Sequence, residues 1–337
     1  MTTTEAPPTA RTAPYVHAGP HWFTTVMGTG IVANAATTLP LDLLGLALLA
    51  RAVWVLAAVL LVAVVAATAL QWHHHPDVAR GHLDDPVLSQ SYGAPAMALM
   101  TVGAGAVLLG GPVALAAPLW VAGTALGLWT AAAVPRRTLA HPGVGPDDAF
   151  GGWLMPVVPP MVSAATGPLL VPHLPDAWRA PLLALCTVLF VLALVASSVV
   201  IALVVRCGPG STVRTPTLWI VLGPLGQSVT AAHTISAAAG VDAVGTAYGR
   251  PVWALAMAWL AVVVVLTARA VRDGLPFAMT WWAFTFPLGT VVTGTSALAA
   301  TTGAHLFVVV AVALYGALVV AWTVVASRTA LHAATWA

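Results

Sequence analysis

The chain has 337 residues, of which 60% are hydrophobic and 7% charged, with a mean hydropathy of +0.94. These values exclude an ordinary water-soluble domain and describe a polytopic membrane protein. Its twelve basic residues are all arginines, and a formal charge of +2 is too small to point to nucleic acid.

Residues 1–19 are rich in Thr, Pro and Ala without an apolar core. They read as a short cytoplasmic tail and not as a cleaved signal peptide. Ten apolar segments follow, at 20–38, 52–71, 91–110, 112–134, 152–170, 180–205, 215–238, 251–271, 277–300 and 304–326. Each is near the length that spans the hydrocarbon core. Together they make a pore domain over 20–327, with a second cytoplasmic tail at 328–337. On this frame nine arginines fall on one side, and Arg51, Arg179 and Arg250 on the other. Arginine-rich loops stay inside, so both termini are expected in the cytoplasm of a plasma-membrane protein. Cys186 falls in the sixth segment and Cys207 just past its end, about 30 Å apart along one helix, which argues against a mutual disulfide.

The segments alternate in texture. Even-numbered ones are rich in Leu, Val and Ala, as lipid-facing helices are. Odd-numbered ones carry helix breakers: Gly28 and Gly30 in the first, Pro95 in the third, Pro156, Pro159 and Pro160 in the fifth, Gly223 and Pro224 in the seventh, Pro287 and Gly289 in the ninth. Pro95, Pro159, Pro224 and Pro287 follow one another at steps of 64, 65 and 63 residues, and Trp22, Trp153, Trp219 and Trp282 keep the same beat. A fixed period of this kind is a structural unit. Each unit holds two spans, so all units enter the membrane in the same direction and are related by an axis along its normal. Pro287 withholds an N–H from the carbonyl of Ala283, and backbone disturbed in this way needs protein or water beside it. The fold class predicted from these patterns is all-α integral membrane. Ten transmembrane helices form five helical hairpins with quasi-five-fold symmetry around a central pore, odd helices inside.

No Asp, Glu, Lys or Arg lies well inside any segment, which favours a passive conduit over a proton relay. Broken helices turn partial positive charge toward the lumen, so small anions are the expected cargo. The pore-lining positions on this frame are Gly28, Thr29, Gly30, Pro95, Pro159, Pro160, Gly223, Pro224, Gln227, Thr285 and Pro287. Ser163, Thr166, Ser228, Thr230 and Thr290 add hydroxyls, although small residues also serve close helix packing. The run His73, His74, His75, with Asp77 and His82, resembles a metal site only superficially. It has no second cluster to complete a shell and reads as an interfacial cap. His233 reads as a packing histidine. Neither a metal nor a cofactor is expected. At 100° per residue Phe284 and Phe286 point about 200° apart, so one of them at most can face the axis as a gate. Phe286 adjoins Pro287, but the residues alone leave both open.

The segment His21, Trp22, Phe23 to Met27, Gly28, Thr29, Gly30, Ile31, together with Trp153 to Pro160, the run Leu222 to Gln227, and Trp281 to Pro287, resembles the tellurite-resistance and dicarboxylate transporter family. That family includes slow-type anion channels of plant guard cells, fungal malate permeases and fungal sulfite pumps. The resemblance covers about residues 19 to 328, with four motifs in order at matching spacing. It implies ten helices in five hairpins, a homotrimer with one pore per protomer, and a phenylalanine of the ninth helix closing each pore. On the pattern Trp-Trp-x-aromatic-Thr-Phe that gate is Phe286, with Phe284 the runner-up. The Gly-Pro-Leu-Gly-Gln run is closer to the malate and sulfite branch, and the short tails do not carry over control by phosphorylation.

The expected function is a conduit for small anions such as C4-dicarboxylates, sulfite or chloride, with a proton-coupled dicarboxylate or sulfite exporter as the alternative. Two other classes are weaker. A membrane enzyme built on the His73 to His82 cluster lacks a second intramembrane cluster, and a purely structural bundle has no use for five evenly spaced breakers.

Overall fold

The structure, a computed structural model, describes residues 19–41, 43–208 and 210–334, and within them every regular element is helical. Residues 1–18 of the first expected tail and 335–337 of the second lie outside the described residues. Among the described residues, seven helical segments are long and apolar enough to cross a membrane.

Five long helices, α2 (Leu44–His74), α5 (Val113–Ala140), α7 (Asp176–Cys207), α9 (Asp242–Arg272) and α11 (His305–Ala334), run for 28 to 32 residues. They extend turns beyond the apolar stretches seen in the sequence, and α11 takes up 328–334 as well. A backbone ladder does not need apolar side chains to continue. The ends also suit the helix dipole, with Asp176 and Asp242 in first turns and Arg206, Arg269 and Arg272 in last turns. A short helix that the sequence reading lacks, α3 (Pro76–Asp84), follows α2, with Pro76 and Asp77 in its first turn and the histidine run at the junction.

Five shorter helices alternate with the long ones: α1 (Phe23–Thr38), α4 (Gly93–Leu108), α6 (Pro159–Thr166), α8 (Leu222–Ala238) and α10 (Phe286–Thr302). A 3₁₀ stretch leads up to each of them, at Pro20–Trp22, Leu88–Tyr92, Gly151–Leu154, Thr212–Val221 and Met279–Phe284. This changes the meaning of the breakers. Pro159 is the first residue of α6, Pro287 the second of α10, and Pro95 and Pro224 the third of α4 and α8. In a first turn the missing N–H has no ladder partner to lose, and the fixed φ suits a helix start. Pro287 therefore does not free the Ala283 carbonyl from the middle of a continuous helix, as the sequence suggested. It begins a new helix after a 3₁₀ lead-in.

Each short helix packs on the long helix that follows it, in the pairs α1–α2, α4–α5, α6–α7, α8–α9 and α10–α11. The short helices also touch in the order α1, α4, α6, α8, α10 and back to α1. Burial follows this arrangement. In the span Met279–Thr302 83% of the apolar window is buried, against 11% to 33% for the five long helices, whose outer faces show Leu and Val. Close approach among the short helices relies on missing side chains. A Cβ on Gly93 would run into the Met155 carbonyl, which ties the start of α4 to the turn before α6.

Candidate functional site

Two cavities lie among the five short helices. The wider, of about 280 Å³, is walled by residues from all five 3₁₀ lead-ins or their neighbours: His21 and Thr24, Gln90 and Ser91, Phe150 and Met155, Thr217 and Ile220, Met279 and Trp282. α1, α8 and α10 border it in their first turns through Thr24, Gly223 and Phe286, α4 borders it through Met97, and Val158 stands directly before α6. Helix N-termini carry partial positive charge, so the backbone gives this space an anion-favouring potential. Among the described residues His21 is the one ionisable side chain of its wall, and Met27, Met97, Met155 and Met279 make much of the rest a soft apolar surface.

The narrower cavity, of about 80 Å³, lies further along the same helices. Its wall takes Asn34 and Thr38 from α1, Thr101 from α4, Val162 and Thr166 from α6, Gln227, Thr230 and Thr234 from α8, and Phe286 and Thr293 from α10. Spacings of three, four and seven residues put these positions on one face of each helix. The polar groups are partly occupied by one another. Asn34 Nδ2 donates to the Thr101 carbonyl at 3.0 Å, Thr234 to the Ala165 carbonyl at 3.0 Å, and the Thr230 and Thr293 hydroxyls meet at 2.8 Å. Asn34 Oδ1 and Gln227 Oε1 are buried without a hydrogen-bond partner among the described residues. Among the described residues no Asp, Glu, Lys, Arg or His is part of this wall.

Phe286 belongs to the walls of both cavities and is itself buried. It is the first residue of α10, where the chain leaves the 3₁₀ stretch. Phe284 is on neither wall. Its ring packs edge-to-face against Trp219 and Trp281, with centroids 5.2 and 5.7 Å away.

Of the positions picked from sequence, Gly223 and Pro287 wall the wide cavity and Gln227 the narrow one. Others sit at helix contacts instead. Gly28 faces the Thr285 hydroxyl and the Trp282 ring, and Gly30 opposes Thr101, where a Cβ would come within 2.8 Å of its methyl. Thr285 donates to the Trp282 carbonyl at 2.7 Å, and Thr29 accepts from the Trp322 indole N–H at 3.1 Å. Pro159 packs on Gly127 of α5. Pro95, Pro160 and Pro224 are on neither cavity wall. The physical reason is common to these placements: a residue that starts a helix or lets two helices meet is placed by backbone geometry, and its side chain points wherever that geometry leaves it. Among the hydroxyls, Thr166 and Thr230 wall the narrow cavity. Ser163 instead accepts from Thr124 at 3.0 Å, and Thr290 donates to the Pro287 carbonyl at 2.6 Å.

Asn34, Gln90, Thr101, Thr234 and Thr293 escaped the sequence reading. A signal for the amides was present. The chain has one Asn and three Gln, and Asn34, Gln71, Gln90 and Gln227 are all buried. In spans free of charge, amides are the strongest polar groups, and polar groups at membrane depth mark pathways by default.

Comparison with known proteins follows the same outline. A family model described as voltage-dependent anion channel matches residues 17–330. An uncharacterized transporter of Methanocaldococcus jannaschii is 29% identical over 287 residues, covering 81% of this chain and 81% of its own length. A second uncharacterized transporter from that organism is 27% identical over 322 residues, covering 91% of this chain and 92% of its own. A sulfite efflux pump of Trichophyton rubrum is 26% identical over 316 residues, covering 82% of this chain and 80% of its own.

Proposed function

The chain belongs to the voltage-dependent anion channel family, and from that premise we propose that it conducts small anions through a central pore closed by Phe286. The pore is formed by ten transmembrane helices, paired as five hairpins with quasi-five-fold symmetry. One observation carries the reading: Phe286 is in the walls of both cavities, and four of the five short helices, together with the turn before α6, contribute to the wide one and all five to the narrow one. A bare aromatic ring in a narrow passage excludes water and ions by dewetting, which needs no charge. Helix N-termini around the wide cavity draw anions toward it, and hydroxyl and amide groups beyond the ring can take the place of hydration water. The protein works in the plasma membrane as a homotrimer with one pore per protomer and both termini in the cytoplasm. The nine-to-three division of arginines supports that orientation.

A coupled exporter is the second reading, favoured by the similarity to a sulfite efflux pump. The walls weigh against it, since among the described residues His21 is the one ionisable group on either.

The test is flux from liposomes holding purified protein, with chloride, nitrate, sulfite and malate, with and without a pH gradient. The expected result is low basal anion flux in the parent, a large rise in Phe286→Ala, and no dependence on the proton gradient. Saturable flux that follows the gradient would replace the channel by the exporter, and equal flux in parent and variant would remove Phe286 as the gate.

A further inference from the structure

A third concavity, of about 370 Å³, lies on the outer surface between α5 and α7. Its sides are Pro135 and Leu139 of α5 and Ala196, Val200 and Leu203 of α7, and Trp153 is in its wall. The groove has a simple origin. Both long helices pack on α6, which has only eight residues and is too short to fill the space between them along their length.

The groove lies across the level where the apolar runs of both helices end. Arg136 and Arg137 stand between the wall residues Pro135 and Leu139, about 100° and 200° round α5 from Pro135, and Arg206 lies three residues beyond Leu203, on the same face of α7. Arg137 pairs with Asp84 at 3.5 Å, and Arg206 pairs with Asp147. Arg136 is exposed and has no ion pair among the described residues. Three arginines thus face two aspartates, and the two existing pairs are exposed, weak and exchangeable.

We propose that this groove holds one acyl chain of an anionic phospholipid, whose phosphate is bound by Arg136 and Arg206. Size and charge both favour a lipid over a second copy of the chain. An α-helix roughly 10 Å across would fill the groove with about one turn, so the space suits a hydrocarbon chain and not a neighbouring helix. The guanidinium fork matches phosphate oxygens, and the arginines sit where the apolar wall gives way to the headgroup region. The lipid would also touch the wall of the wide cavity. Gln90 is on the walls of both spaces and donates to the Thr138 hydroxyl at 2.7 Å and to the Pro86 carbonyl at 2.9 Å. The inference rests on the chain spanning a bilayer and is independent of which ion it conducts.

The experiment is native mass spectrometry of protein released from nanodiscs made of equal parts phosphatidylglycerol and phosphatidylcholine with the same acyl chains. The parent is expected to retain one phosphatidylglycerol per protomer, favoured about tenfold over phosphatidylcholine, the scale of one or two arginines at a membrane surface. Arg136→Gln with Arg206→Gln should abolish the preference, and Ala196→Trp should abolish retention of either lipid while leaving the helical content unchanged. If Ala196→Trp fails to fold, Leu203→Trp at the rim takes its place. No preference in the parent, or undiminished retention in the groove-filled variant, overturns the proposal. A change in protomer number on filling the groove overturns it in favour of an interface between copies.

Discussion

Trp322 of α11 donates its indole N–H to the hydroxyl of Thr29 on α1 at 3.1 Å, fastening the last long helix to the first short one across 293 residues of sequence. Thr29 is almost fully buried, so Thr29→Val leaves the indole without that acceptor in a place where water cannot replace it. A loss of about 1 kcal/mol is expected, in the range measured for hydrogen bonds between membrane helices. Basal anion flux should not change. Thermal unfolding in detergent gives the stability, and Thr29→Val combined with Trp322→Phe should lose less than the sum of the two single variants. Full additivity would mean that the two side chains do not interact.

Phe284 and Phe286 should separate cleanly when each is truncated. Phe284 stands in an aromatic cluster with Trp219 and Trp281, so Phe284→Ala opens a hole in packing. That should lower stability by roughly 3 kcal/mol, as for other buried phenylalanines. Flux should stay at the parent level. Phe286→Ala should do the reverse, opening the path at a smaller loss of stability because its ring borders two spaces that are already empty of protein atoms. A leak in Phe284→Ala with none in Phe286→Ala would transfer the gate to Phe284.

Gln227 offers a test of anion preference beyond the ring. Its side-chain carbonyl is buried without a partner beside the narrow cavity. In a Phe286→Ala background, Gln227→Glu places a negative charge of similar shape in a confined, poorly hydrated space. Anion flux should fall at least about tenfold, because charges a few ångströms apart repel strongly where the effective dielectric is low. Gln227→Leu should reduce flux less and leave stability unchanged or higher, since it removes an unsatisfied acceptor. Flux through the glutamate variant equal to its parent's would place the conducting path elsewhere.

The period was legible because Pro95, Pro159, Pro224 and Pro287 recur at nearly the same spacing, and each of them sits where a helix starts. What the breakers do was not. A 3₁₀ lead-in followed by an α-helix and one kinked α-helix have almost the same apolar spacing, so Pro287 looked like an interruption when it is a beginning. The pattern likewise hid which side chains face the cavities. Thr29 and Gln227 both sit in apolar spans, yet Thr29 accepts from Trp322 while Gln227 lies on a cavity wall, and that difference depends on the rotation of α1 and α8 against their neighbours. The ends of α2, α7 and α9 were placed too far inward because hydropathy marks the hydrocarbon zone and not the end of the hydrogen-bond ladder.

Gly223 and Gly226 stand three residues apart on α8, and replacement of each by alanine should act in opposite directions. A Cβ on Gly223 meets no atom within 4 Å, because that residue faces the wide cavity. Gly223→Ala should therefore be neutral or stabilising by about 0.5–1 kcal/mol, the difference in helix propensity. A Cβ on Gly226 would lie 2.5 Å from the Val291 backbone nitrogen and 2.6 Å from the Thr290 carbonyl carbon, atoms of α10 that cannot turn aside as a side chain does. The contact is tight from the other direction too, since a Cβ on Gly294 would approach the Gly226 carbonyl oxygen to 2.9 Å. Gly226→Ala must then push α10 away from α8, at roughly 1–3 kcal/mol as for other overpacked sites. Phe286 lies one turn before Thr290 on α10, so the displacement should also loosen the ring between the two cavities and raise basal flux. Unfolding midpoints and liposome flux, measured on both variants, check the pair. If Gly226→Ala were as stable and as tightly closed as Gly223→Ala, the α8–α10 contact would not be what holds Phe286 in place.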